Sequence, residues 1–208
     1  MTDRPIIDAG PALNFLAINK ERLLLGVLGA VSVPETVRDE VLRKAKVDSR
    51  FAAAATVWGR LPERLLHILS DDVTPELAAA VNRISGLPIA ERKEQAKDLG
   101  EVMVIAHAVV AAETGKPVII VIDDGGGARL ASSEIGRLQR RRQQDPTIGS
   151  ISLINTITIL QRAANTSDLP DRGTMREVYQ RLRGVDDGLP PLDSTRLLSP
   201  EMWPDQPA

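Results

Sequence analysis

The rhythm of hydrophobic and polar positions changes repeatedly along this chain. Val118-Ile119-Ile120-Val121-Ile122 is an unbroken β-branched run, which predicts a strand buried on both faces, as in a parallel sheet. Shorter apolar runs over 5–8, 31–33, 65–69 and 147–151 predict four more strands. Between them apolar residues recur at helical spacing. Leu13, Leu16 and Ala17 mark a helix over 12–18, and another turn or two follows over 23–28. Val37, Val41, Leu42 and Ala45 share one arc of a helix over 35–46. Ala-rich 51–61, then 74–84, 129 onward, 152–164 and 171–183 also read as helices. Residues 102–112 are apolar all round except at His107, the mark of a deeply buried helix. The charged stretch 89–97 reads as a solvated helix or linker. Strands alternating with helices predict an α/β fold with a mostly parallel sheet.

Carboxylates recur at the ends of these elements. The opening run stops at Asp123-Asp124 before Gly125-Gly126-Gly127, and the first strand stops at Asp8. In open α/β sheets ligands bind beyond the carboxyl ends of the strands, so both places are candidate sites; Asp-Gly is equally a common turn signal. Glu101 shares a face with Ile105, Ala108 and Ala112 on the buried helix, where a charge is costly unless paired or bound to a metal. A structural alternative stands beside this: Asp98 as N-cap with Glu101 three residues later is a capping-box-like pair. On the helix over 35–46, periodicity does not decide between Asp39 and Glu40, which lie on opposite edges of the apolar arc.

Composition narrows the chemistry. The chain has 208 residues, no cysteine and two histidines, His67 and His107. Disulfides and thiolates are excluded, a zinc site is disfavoured, and the absence of cysteine fits a cytoplasmic location. No apolar stretch reaches the length of a membrane span, and the first residues lack a signal-peptide layout. Net charge is −2, so no global basic field points to nucleic acid. The aromatics, Phe15, Phe51, Trp58, Tyr179 and Trp203, are too few for an extended base-stacking platform. The concentrated basic run, Arg137 to Arg142, reads either as a solvated helix face or as a phosphate grip. From 185 to 208 the chain is proline-rich and reads as an extended or disordered tail. Residues 1–184 then form one domain, with 47–97 as a helical extension inside it.

Four segments together resemble the PIN-domain family of metal-dependent ribonucleases, which includes VapC-type toxins of toxin–antitoxin pairs. They are Ile6-Ile7-Asp8-Ala9-Gly10-Pro11-Ala12-Leu13, then Val33 to Val41, then Asp98-Leu99-Gly100-Glu101 with Ala106, and finally Val121-Ile122-Asp123-Asp124 with Arg129 and Ala131. Ile148-Gly149-Ser150 stands where the family turns into its last helices. The resemblance implies a three-layer α/β/α fold and an acidic site of Asp8, Glu40, Glu101 and Asp123, so it chooses Glu40 over Asp39. It implies Mg²⁺ or Mn²⁺ held by Asp8, Glu101 and Asp123, with Asp98 and Asp124 in secondary roles. It further implies hydrolysis of RNA phosphodiesters, with Arg129, Arg137, Arg140 and Arg141 on phosphates, and an antitoxin protein as partner. The chain departs from the family where Ala9-Gly10 replaces a common Ser or Thr, and in the length of 47–97. A second class of function is a catalytically weak or inactive PIN-like module that binds protein or RNA, its acidic pocket receiving an arginine. The apolar helices 12–28 and 52–61 are then docking faces for a partner or a second copy.

Overall fold

The computed structural model describes residues 4–204. Five strands form one sheet: β1 Ile6–Ile7, β2 Val31–Pro34, β3 Leu66–Leu69, β4 Pro117–Val121 and β5 Ser150–Ile154, in the order β3-β2-β1-β4-β5. Every pairing is parallel. The chain moves outward from β1 through β2 to β3, then returns to β4 on the other side of β1 and continues to β5. Between β1 and β4 lies the point where strand order reverses, the place where open α/β sheets form a crevice.

Parallel strands require crossovers, and right-handed crossovers in opposite directions put helices on both faces. One set is α1 Ala9–Ala17, α2 Glu21–Leu28, α3 Glu35–Val47 and α4 Ala52–Trp58, joined by α9 Thr156–Ala163 and α10 Arg172–Val185. The other is α5 Pro75–Ser85, α6 Ile89–Lys93, α7 Leu99–Glu113 and α8 Gly125–Gln144. The fold is therefore α/β, with a parallel sheet between helical layers. α7 lies against the sheet with Val102 to Ala106, Ala108, Val109 and Ala112 all buried, as its all-round apolar sequence requires. The segment 47–97 is more than an extension, because it supplies the edge strand β3.

Three expectations change. The last strand is Ser150–Ile154, and its helix begins only at Thr156. Pairing from Pro117↔Ser150 to Val121↔Ile154 sets that register. Asn155 then starts the helix by accepting a hydrogen bond from Thr158 N at 3.0 Å. The glycines 125–127 are the first turn of α8, which begins four residues before the expected start at 129. The tail, read as extended or disordered, is neither over its described residues to 204. Leu189, Leu197 and Trp203 are buried, with Trp203 1 % exposed. Trp203 Nε1 donates to Leu197 O at 2.8 Å, and Tyr179 Oη donates to Pro190 O at 2.7 Å. Proline enrichment shaped irregular backbone, but the apolar residues between the prolines still found a core.

The proposed docking faces are spent within the chain. Ala12, Leu13, Phe15, Leu16, Leu23, Leu24, Ala54 and Val57 are all buried, α1 packing on α4. No helix among the described residues is long and apolar enough to cross a membrane.

Candidate active site

Asp8 and Asp123 end the two strands that flank the reversal point. Asp8 N donates to Val121 O at 3.0 Å, tying the end of β1 to β4. The Asp8 carboxyl is 6 % exposed. Burial, and secondarily the charge of Glu40, push its pKa to about 7 against the opposing pull of the Ala9 and Gly10 amides. Asp123 is raised by burial too, while Thr156 pulls it down. Its carboxylate accepts from Thr156 N at 2.7 Å, Thr156 Oγ1 at 2.6 Å and Asn14 Nδ2 at 3.4 Å. These bonds fix its orientation.

Glu101 enters from the first turn of α7. Burial raises it to about 7, followed by the charges of Asp8, Asp124, Asp98 and Glu40. Two glycines make room for the cluster. A Cβ on Gly100 would stand 3.0 Å from Glu40 Oε2 and 3.2 Å from Asp8 Oδ1. A Cβ on Gly127 would stand 3.1 Å from Glu101 Cγ and Cδ. Gly100, unfavourable in a helix, is thus explained by the close approach of two carboxylates. Glu40 Oε1 lies 2.7 Å from Lys44 Nζ, one helical turn away.

These groups line one cavity of about 570 Å³, into which Asp8, Glu40, Glu101 and Asp123 all reach. Asp98 and Asp124 line it too. Asp98 adopts a left-handed backbone, φ 55°, and its side chain makes no cap hydrogen bond, so the capping-box alternative is not realised. Arg92 explains the bend before it: buried in the stretch read as solvated, it donates to Gln95 O and to Lys97 O, the latter at 2.6 Å. Asp124 is the N-cap of α8, accepting from Gly126 N at 2.5 Å and Gly127 N at 3.1 Å.

Two members escaped the sequence. Asn14, 1 % exposed, bridges Asp123 and Asp186, its Nδ2 donating to Asp186 Oδ2 at 2.6 Å. Asp186, Gly188, Leu189 and Pro190 form one wall of the cavity. The tail that composition set apart from the domain therefore closes its site. A polar residue on the apolar helix α1 was the available signal for Asn14; nothing local marked Asp186.

The expected phosphate-binding arginines divide. Arg137 pairs with Glu134 at 2.8 Å and Glu113 at 2.9 Å, and Arg141 pairs with Glu113. Arg83 joins the same network through Glu134 at 3.2 Å. This network braces α5, α7 and α8, so Arg137 and Arg141, expected on phosphates, are held by the chain's own glutamates. Arg140 is exposed but stands about 20 Å along α8 from its start. Arg129 stays near the site, its guanidinium 3.6 Å from a Cβ built on Gly125. Lys44 and Lys97 line the cavity directly.

The donor set is oxygen-rich, as hard divalent cations prefer, and buried Asp8 is paired with no cationic side chain among the described residues. The chemistry of these residues fits such an ion. As they stand, no three acidic or histidine side chains among the described residues converge closely enough to grip one. No family model matches the chain, and neither a curated protein nor a solved structure matches it.

Proposed function

We propose that this chain is a PIN-like, metal-dependent endoribonuclease, acting in the cytoplasm as the toxin of a toxin–antitoxin pair. The observation that carries the reading is the meeting of Asp8, Glu40, Glu101 and Asp123, from four separate segments, around one cavity at the reversal point of the sheet. Asp8, Glu101 and Asp123 would hold Mg²⁺ or Mn²⁺. When bound, such an ion supplies Lewis acidity toward a phosphodiester and favours ionisation of water at neutral pH. Lys44 holds Glu40 in place, and Thr156 with Asn14 aims Asp123. Lys44, Lys97 and Arg129 supply positive charge for the phosphates beside the cut, contacts that position a strand without reading its sequence. Both histidines line a different cavity, in keeping with a reaction that uses no histidine base.

One observation favours a second reading. Glu40 already has a lysine partner and the acids do not converge on one point, as in a pocket that receives an arginine from a partner protein. RNA cleavage in Mn²⁺ tests both. Asp8→Asn and Asp123→Asn should each lose on the order of 100-fold or more in rate. Equal cleavage by wild type and both variants overturns the nuclease assignment. No cleavage and no Mn²⁺-induced thermal shift in the wild type selects the partner-binding module.

A further inference from the structure

The two histidines of the chain, unused by the acidic site, line a second cavity of about 490 Å³ that shares no lining residue with the first. It lies between α7 and the sheet. Ile6, Ser32 and His67 are register partners across β1, β2 and β3, so they project from the same face. His107 faces them from α7. Ser32 is 4 % exposed and lines the cavity, so its side chain stands on the sheet face that a bound molecule would meet. His107 is fixed in place, its Nε2 2.8 Å from Asp71 Oδ1. His67 is half-exposed, with Nδ1 3.8 Å from Glu63. Arg4 also lines the cavity and donates to Glu63 O at 3.2 Å. Ile6 and Val118, both buried, give an apolar floor, and no acid is among the described residues that line the cavity.

We propose that this cavity binds a small organic anion, a carboxylate on a compact apolar body. The body lies on Ile6 and Val118, and the carboxylate accepts from the Ser32 hydroxyl within reach of Arg4 and His67. A mixed lining of this kind, mostly apolar with a few convergent polar groups, is the usual form of a small-molecule site. The inference is independent of the nuclease reading, because neither cavity borrows a residue from the other.

Benzoate is a suitable probe, with benzyl alcohol as its neutral counterpart and inorganic phosphate as the anion without an apolar body. Carbon-13 NMR of the histidine Cε1 positions gives two signals, both from this cavity. Benzoate should shift both along one saturable curve, and the two controls should bind at least about tenfold more weakly. Ser32→Ala should weaken benzoate about tenfold, and His67→Gln, at an exposed position, should weaken it in a chain whose fold is undisturbed. The proposal is overturned by the absence of saturation, by benzyl alcohol or phosphate binding as well as benzoate, or by both variants binding like wild type.

Discussion

Asp8 and Asp71 are both aspartates at the carboxyl end of a strand, and both are buried, 6 % and 4 % exposed. Their surroundings differ completely. Asp71 accepts from Thr36 N at 2.7 Å, from Thr36 Oγ1 at 2.6 Å and meets His107 Nε2 at 2.8 Å. Burial pushes its pKa up, but these partners outweigh that and hold it below the ordinary carboxylate range. The Asp8 carboxyl is more deeply buried, with only the Ala9 and Gly10 amides and the more distant charge of Lys44 to set against burial and the like charge of Glu40, and sits near 7. Similar exposure thus has opposite electrostatic outcomes, decided by how deeply each carboxyl lies and by whether the fold supplies partners. A satisfied buried acid is a brace. An unsatisfied one, with the raised carboxyl of Glu101 close by, holds its proton toward neutral pH unless positive charge is brought near it.

That contrast breaks most sharply by mutation. Asp71→Ala strands His107 and both Thr36 groups, and should cost on the order of 3 kcal/mol of stability. Asp8→Asn should instead raise the stability of metal-free protein at pH 8, since it removes an unpaired buried charge. Urea unfolding of the two variants in EDTA measures both signs. Destabilisation by Asp8→Asn as large as that by Asp71→Ala would erase the distinction.

The same logic fixes a pH dependence. The folded pKa values of Asp8 and Glu101, about 7, lie above their unfolded values near 4. Between these limits the folded state binds more protons than the unfolded, so stability falls as pH rises from about 4 through about 7. Metal-free protein should lose on the order of 5 kcal/mol between pH 5 and pH 8 from the two carboxyls together, several degrees or more in Tm. Mn²⁺ should recover more of that loss at pH 8 than at pH 5. A flat Tm across this range would place both carboxyls with partners after all.

Smaller effects sharpen the geometry. Gly100→Ala relieves an unfavourable helical glycine, worth up to about 1 kcal/mol, yet sets a Cβ 3.0 Å from Glu40 Oε2. It should leave the thermal midpoint within a few degrees of wild type while reducing cleavage, measured on the same preparation. Thr156→Val removes one of the hydrogen bonds that aim Asp123. It should cost about 1 kcal/mol in stability and a lesser share of activity than Asp123→Asn.

Much of this fold was legible in one dimension because its signals are local. The run 118–122 and the all-round apolar helix over 102–112 report burial on every side, and such burial occurs only in the middle of layers. Asp8 and Asp123 were found because each ends an apolar strand, and Glu101 because it interrupts a buried face. Arg137 and Arg141 show the limit. A basic run looks the same whether it faces solvent, phosphate or the glutamates of a neighbouring helix, and only packing brought Glu113 and Glu134 beside it.

The sequence by itself determined the alternation of strands and helices and which acids stand at the ends of β1 and β4, since hydrophobic period and the close of an apolar run are properties of neighbouring residues. The tertiary structure decided which of those acids lack partners. Asp8 lies 115 positions from Asp123, and the reversal of strand order puts them side by side. Asp186 arrives from a tail whose composition resembled disorder, and Asn14 reaches it across the body of the fold. Charges so far apart in the chain meet only when a sheet is assembled, and their energies depend on distance and desolvation, quantities that exist only in three dimensions.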